Sequence, residues 1–243
     1  MASARITPDT QTWIRFLARF APIVSLVALS LVVMFFSAVG FADSDNVLGL
    51  LYAELLQAGR VPSAYQLAMI FDAFGWLTIG VSLIAFSRIF REAAPIRSTF
   101  IFVAGMGHLL GFLGGTLRMT AIHDIAVQYA ATSDPTIRMG LSNAYLAVSS
   151  VIGGLFLAGD VLATIGWLLV GAAAWTSRIL PRWVAAWTLS SGILIAVFTP
   201  LSAANASFAF PILLVYILSG VIAFHLVFAV KFWRAAPSTG PTF

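Results

Sequence analysis

Six stretches of this chain are apolar over roughly the length that crosses a bilayer, about 20 residues of helix for a hydrocarbon layer about 30 Å thick. Charge or proline separates each from the next: Phe20–Phe41, Tyr65–Phe86, Thr99–Ile122, Tyr145–Ala174, Val184–Ser202 and Ala209–Phe232. Backbone groups in lipid must be satisfied within the segment, which selects helices over open strands. The chain is 60% hydrophobic and only 9% charged, more apolar surface than one water-soluble core of this size can hide. The pattern predicts an all-α integral membrane bundle of six transmembrane helices, one domain over residues 1–243, with the lipid bilayer as its first partner. The first stretch is too long for the core of a secretory signal and is read as a retained helix.

The formal net charge of +4 invites a nucleic-acid partner, but the placement of the charges argues against one. If the six segments alternate, Arg5, Arg15, Arg19, Arg88, Arg91, Arg97, Arg178, Arg182, Lys231 and Arg234 fall on one side. Arg60, Arg118 and Arg138 fall toward the other. This is a positive-inside distribution, predicting both termini on the cytoplasmic face of a bacterial cytoplasmic membrane. The aromatic residues give the same orientation, with Trp13, Trp175, Trp183, Trp187 and Trp233 near the inner boundary and Tyr52, Tyr65, Tyr129 and Tyr145 near the outer one.

Between the first two windows, Asp43–Arg60 reads as an outer amphipathic helix, with Ser44 or Asp45 as cap, Leu51, Leu55 and Leu56 among its apolar positions, and Gly59 as its stop. It would rest on the outer leaflet or cover the mouth of the bundle. The third and fourth helices are expected to run past the membrane, because Ala121–Thr132 and Thr136–Ala144 keep helical character on either side of Asp134-Pro135.

Charges inside the apolar windows are the first candidates for function, since each costs at least about 2.5 kcal/mol on insertion scales and therefore turns inward to a partner. Asp72 in the second window and Asp160 in the fourth lie at or outward of the midplane. A rise of 1.5 Å per residue puts Asp72 roughly 5 Å out, Asp160 within about 6 Å, and Arg118 roughly 11 Å out. Asp72, Arg118 and Asp160 are expected to cluster between helices two, three and four. Such a cluster reads either as an outward-opening ligand site of a binding or transport-like protein, or as a structural ion pair. In the third window, Gly107, Gly111, Gly114 and Arg118 share one stripe, and small residues there let helix backbones approach closely.

His108 and His225 fall in the inner half, roughly 4 and 7 Å from the centre. Two imidazoles at similar depth, with Gly105, Gly111 and Gly115 near the His108 face giving a macrocycle room, form an alternative in which the chain carries haem b. His123-Asp124 is an ordinary helix-end polar pair, and no further ligands are spaced for a metal. The sequence holds no cysteine, which removes thiolate sites, and it contains no P-loop, dinucleotide fingerprint, nucleophile elbow or zinc-protease motif. Hydrolase and kinase chemistry are therefore not expected, and an enzymatic role is not favoured. A further alternative is an accessory subunit, with apolar faces contacting other membrane subunits or a second copy.

The run Gly166-Trp167-Leu168-Leu169-Val170-Gly171, followed by Ser177-Arg178-Ile179-Leu180-Pro181-Arg182-Trp183, resembles an uncharacterised bacterial six-helix membrane family known as domain of unknown function 4386. Arg118 and the Leu180-Pro181-Arg182 turn are the matching positions. The resemblance implies an arginine in the third helix, an outer amphipathic segment after the first and a basic Leu-Pro turn before the fifth. It implies no activity.

Overall fold

The computed structural model describes residues 47–91, 94–178 and 180–202, together with single helical positions at 20, 23, 24, 27, 223, 226, 227 and 230. All described secondary structure is helical. Helix α1 is Val47–Arg60, α2 Pro62–Phe90, α3 Pro95–Leu117, α4 His123–Ala131, α5 Pro135–Ser177 and α6 Arg182–Ser202. A π turn, Arg118–Ile122, joins α3 to α4. Three stretches are long and apolar enough to cross a membrane: Pro62–Arg88, Pro95–Ala131 and Pro135–Ser177. Apart from those single positions, the first and sixth sequence windows lie outside the described residues, as do Trp13, Trp233 and His225.

Proline sets the start of α2, α3 and α5, where its fixed φ fits the first helical position and its missing N–H costs nothing. The start of α5 is also capped by Asp134, whose Oδ1 accepts from the backbone N–H of Thr136 at 2.8 Å and of Ile137 at 3.3 Å. Helix α5 has 43 residues, about 64 Å at 1.5 Å per residue and twice the depth of a hydrocarbon layer. The expected helical extensions on both sides of Asp134-Pro135 are therefore present. Helix α5 ends at Ser177, and Arg178 takes the left-handed conformation at φ 55° that turns the chain toward Leu180. The N–H of Val184 then bonds the carbonyl of Pro181, placing the Leu-Pro-Arg turn directly before α6.

Helix α1 corrects one expectation. Gly59 does not stop it, because the helix includes Arg60. A Cβ at Gly59 would lie 2.7 Å from the carbonyl oxygen of Ala126, so the glycine serves a close approach of α1 to α4. The break follows at Val61, ahead of Pro62, whose ring disfavours helical geometry in the residue before it. Backbone bonds still bridge the bend, from Val61 N–H to Gln57 O and from Tyr65 N–H to Val61 O.

The described chain packs as two compact units. Unit I takes residues 78–106 and 162–202, and unit II takes 47–77 and 107–161. The core of unit I is built from Leu83, Phe86 and Phe90 of α2, Ile101 and Ala104 of α3, Trp167 and Val170 of α5, and Val184 of α6. The core of unit II joins Leu55 and Ala58 of α1, Tyr65 and Met69 of α2, Ile122 of the π turn, Ala126 of α4, and Tyr145 and Ile152 of α5.

Candidate functional site

Within unit II, α1 presents Glu54 one residue before buried Leu55 and four before buried Ala58, so the carboxylate lies on the packed side of the helix. Three donors from other elements converge on it. The phenol of Tyr65 in α2 donates to Oε1 at 2.8 Å, and that of Tyr145 in α5 donates to Oε2 at 2.9 Å. Arg118, the first residue of the π turn, brings Nε to 3.4 Å from Oε1. Its guanidinium carbon also lies 5.4 Å from the ring centroid of Phe156, within cation–π range. Ser149, one turn beyond Tyr145, bonds its side chain.

The π turn positions this group. Its wider winding is marked by the N–H of His123 reaching back to Arg118 O. Gln66, next to Tyr65, sends its amide to the carbonyl of Met119 in the same turn, at 3.4 Å. Both tyrosines are nearly closed off from solvent, at 3% and 2% exposure, whereas Arg118 and Glu54 keep 28% and 19% of their side chains accessible. The ion pair thus keeps exposed surface and its tyrosine backing does not.

Asp72 lies seven residues from Tyr65, two turns along the same face of α2. It accepts a hydrogen bond from Trp76, and the charges of Arg118 and Glu54 both act on it. The groups acting electrostatically on Arg118 are Glu54, Tyr65, Asp72 and Tyr145. Arg118 pairs with Glu54, and Asp72 lies within electrostatic range of both. Asp160 is half-buried on α5 and is not among the groups acting on Arg118. Gly159 beside it packs against the backbone of α3, where a Cβ would lie 3.2 Å from Gly107 O.

Glu54 is the member of this cluster that sequence reading missed, and Tyr65 and Tyr145 join it there. The tyrosines face inward, and each hydrogen-bonds the Glu54 carboxylate. One signal was present. Glu54 breaks the apolar side of an amphipathic helix whose polar side had room for an acid.

His108 is buried at 3% exposure, with its ring centroid 5.5 Å from that of Trp76. The clearing beside Gly111 is filled by the Trp76 ring, and that beside Gly115 by Ala73, whose Cα would sit 3.0 Å from an added Cβ. In unit I, Gly105 is met by Gly80 and Ile84. These glycines serve close helix contact, and His225 lies outside the described residues. His123 and Asp124 form their expected pair at 3.1 Å.

No protein-family model matches this chain, and no curated protein or solved structure matches it.

Proposed function

We propose that the chain is a multi-pass protein of a bacterial cytoplasmic membrane, a six-helix bundle with both termini inside and of the kind its resemblance to domain of unknown function 4386 implies. On this reading it binds a small polar ligand in an outward-facing, transport-like site formed by Arg118, Glu54, Asp72, Tyr65 and Tyr145. The observation that carries this is the partly accessible Arg118–Glu54 pair, backed by two buried phenols and a second acid. An anchor for α1 alone needs no charge, since Leu55, Ala58 and Gly59 already pack it. A buried ion pair adds little net stability over apolar packing.

The test uses the full chain in lipid nanodiscs, with tryptophan fluorescence following thermal unfolding against a panel of amino acids, short carboxylates, amines, phosphate and alkali cations. At least one probe raises the midpoint of the wild type in a saturable way, and Arg118→Gln removes that response. If no probe shifts the wild type, the ion pair is structural only.

One feature favours a second reading, an accessory subunit. Helix α5 leaves large apolar side chains exposed, with Val151 and Leu157 at 58% and Val161 at 50%. Lipid covers such a face equally well. Stoichiometric recovery of another membrane protein with the chain in mild detergent, lost when Leu157 becomes Asn, would favour the subunit reading.

A further inference from the structure

Tyr65, Tyr145 and Arg118 approach Glu54 from three elements and divide over both of its oxygens. That is the donor set of a carboxylate-binding site, and the chain fills it with its own side chain. The filling side chain stands on α1, the one short helix of the group, which joins α2 through the single bent residue Val61. Arg118 also feels a second acid, Asp72, so its charge stays partly compensated when Glu54 leaves. Exchange of Glu54 for a free carboxylate therefore conserves both the charge and the hydrogen bonds of the site.

Resting on the ligand-binding reading above, we infer that the ligand is a small organic carboxylate, that Glu54 is its tethered stand-in, and that α1 is the lid the ligand displaces. Tyr65 and Tyr145 hold one oxygen each and Arg118 supplies the charge. These groups fit a planar carboxylate, and phosphate would leave further oxygens without a described donor. Asp72, acting on the same arginine, is placed to favour a carboxylate that also carries an ammonium group, as in an amino acid.

The absence of native cysteine gives a clean reporter. Leu55→Cys puts a thiol on the face of α1 that is 1% exposed, where it reacts with a maleimide only when α1 lifts. In nanodiscs, acetate, propionate, glycine or alanine should raise the labelling rate roughly tenfold, the scale of losing one charge-assisted hydrogen bond from the closed state. Chloride, phosphate and methylammonium at equal ionic strength should not. The rise should vanish with Arg118→Gln.

Glu54→Gln, which keeps the shape and drops the charge, should label faster without ligand. It should also bind acetate or glycine roughly tenfold tighter than wild type in a fluorescence titration, because the internal competitor is weakened. Unchanged labelling together with unchanged carboxylate affinity in Glu54→Gln overturns the inference. If amines or cations shift the wild type through Arg118 or Asp72 while carboxylates do nothing, the ligand-binding reading stands and the carboxylate assignment falls. If no probe acts on either protein, both fall.

Discussion

Units I and II are cut from the same long helices, yet they satisfy their polar groups differently. In unit I the hydroxyls of Ser82, Ser87 and Thr188 donate to carbonyls of their own helices, Thr78 O, Ile84 O and Val184 O. The crossings, Ser98 to Ser87 O and Arg97 to Ala172 O, start from the first turn of α3. In unit II, beside within-helix bonds such as Thr116 to Phe112 O and Ser150 to Leu146 O, the bonds of Glu54 with Tyr65, Tyr145 and Arg118 and of Gln66 with Met119 run between elements. A local bond leaves a helix free to turn against its neighbours, whereas a bond between helices fixes their rotation and depth. Unit II adds to its packed core a carboxylate shared among four elements.

The largest effect should follow from cutting that shared carboxylate. Arg118→Met leaves Glu54 and Asp72 without their cation, and we expect a loss of about 3 kcal/mol, read as a fall in the thermal midpoint of the detergent-solubilised chain. Adding Glu54→Gln to Arg118→Met should recover much of the loss, because the stranded charge is what costs. If the double variant is no better than the single, the ion pair does not govern unit II.

Packing provides the next test. Gly115 approaches Ala73 so closely that a Cβ would lie 3.0 Å from both its Cα and its Cβ, and backbone cannot yield as a side-chain tip does. Gly115→Leu should cost about 2 kcal/mol by the same unfolding measurement. Gly153→Leu, at a position with nothing within 4 Å, should be nearly silent. Equal losses at the two positions would show that helix propensity and not close approach sets the need for glycine.

Much of this frame could be read from the sequence, and the reasons are physical. Proline and an Asp cap announce helix starts through local chemistry, so Pro95, Pro135 and Asp134 mark real boundaries. Apolar length finds the long helices. The glycine stripe of the third window does meet neighbouring helices, Gly111 at Trp76 and Gly114 at Phe156. The site was only half legible. Asp72 and Arg118 stand out as charges among apolar residues, whereas Glu54 lies on an amphipathic helix, where its place on the apolar side is a weaker signal and the fold shows its partners. The π turn that begins at Arg118 has no sequence signature comparable to a proline or a cap.

A finer test separates the two tyrosines. Tyr145→Phe and Tyr65→Phe each remove one donor from a different oxygen of Glu54, at about 1 kcal/mol apiece. Because both phenols serve one carboxylate that Arg118 also holds, the double variant should lose more than the sum of the singles, with a coupling of at least about 0.5 kcal/mol. Strict additivity would mean that the phenols act as separate anchors and that unit II is not organised around one acceptor.

The smallest change belongs to unit I, and its smallness is what the comparison demands. Thr188 is 1% exposed and donates to Val184 O, a carbonyl that the helix ladder of α6 already supplies with a donor. Thr188→Val keeps the shape, and it removes donor and hydroxyl together, so no buried polar atom is stranded. We expect a change within about 0.5 kcal/mol, against the larger loss from taking one hydroxyl off Tyr145 at similar burial. A loss at Thr188 that equals the loss at Tyr145 would erase the distinction between bonds inside a helix and bonds between helices, and with it the reason for treating unit II as the site.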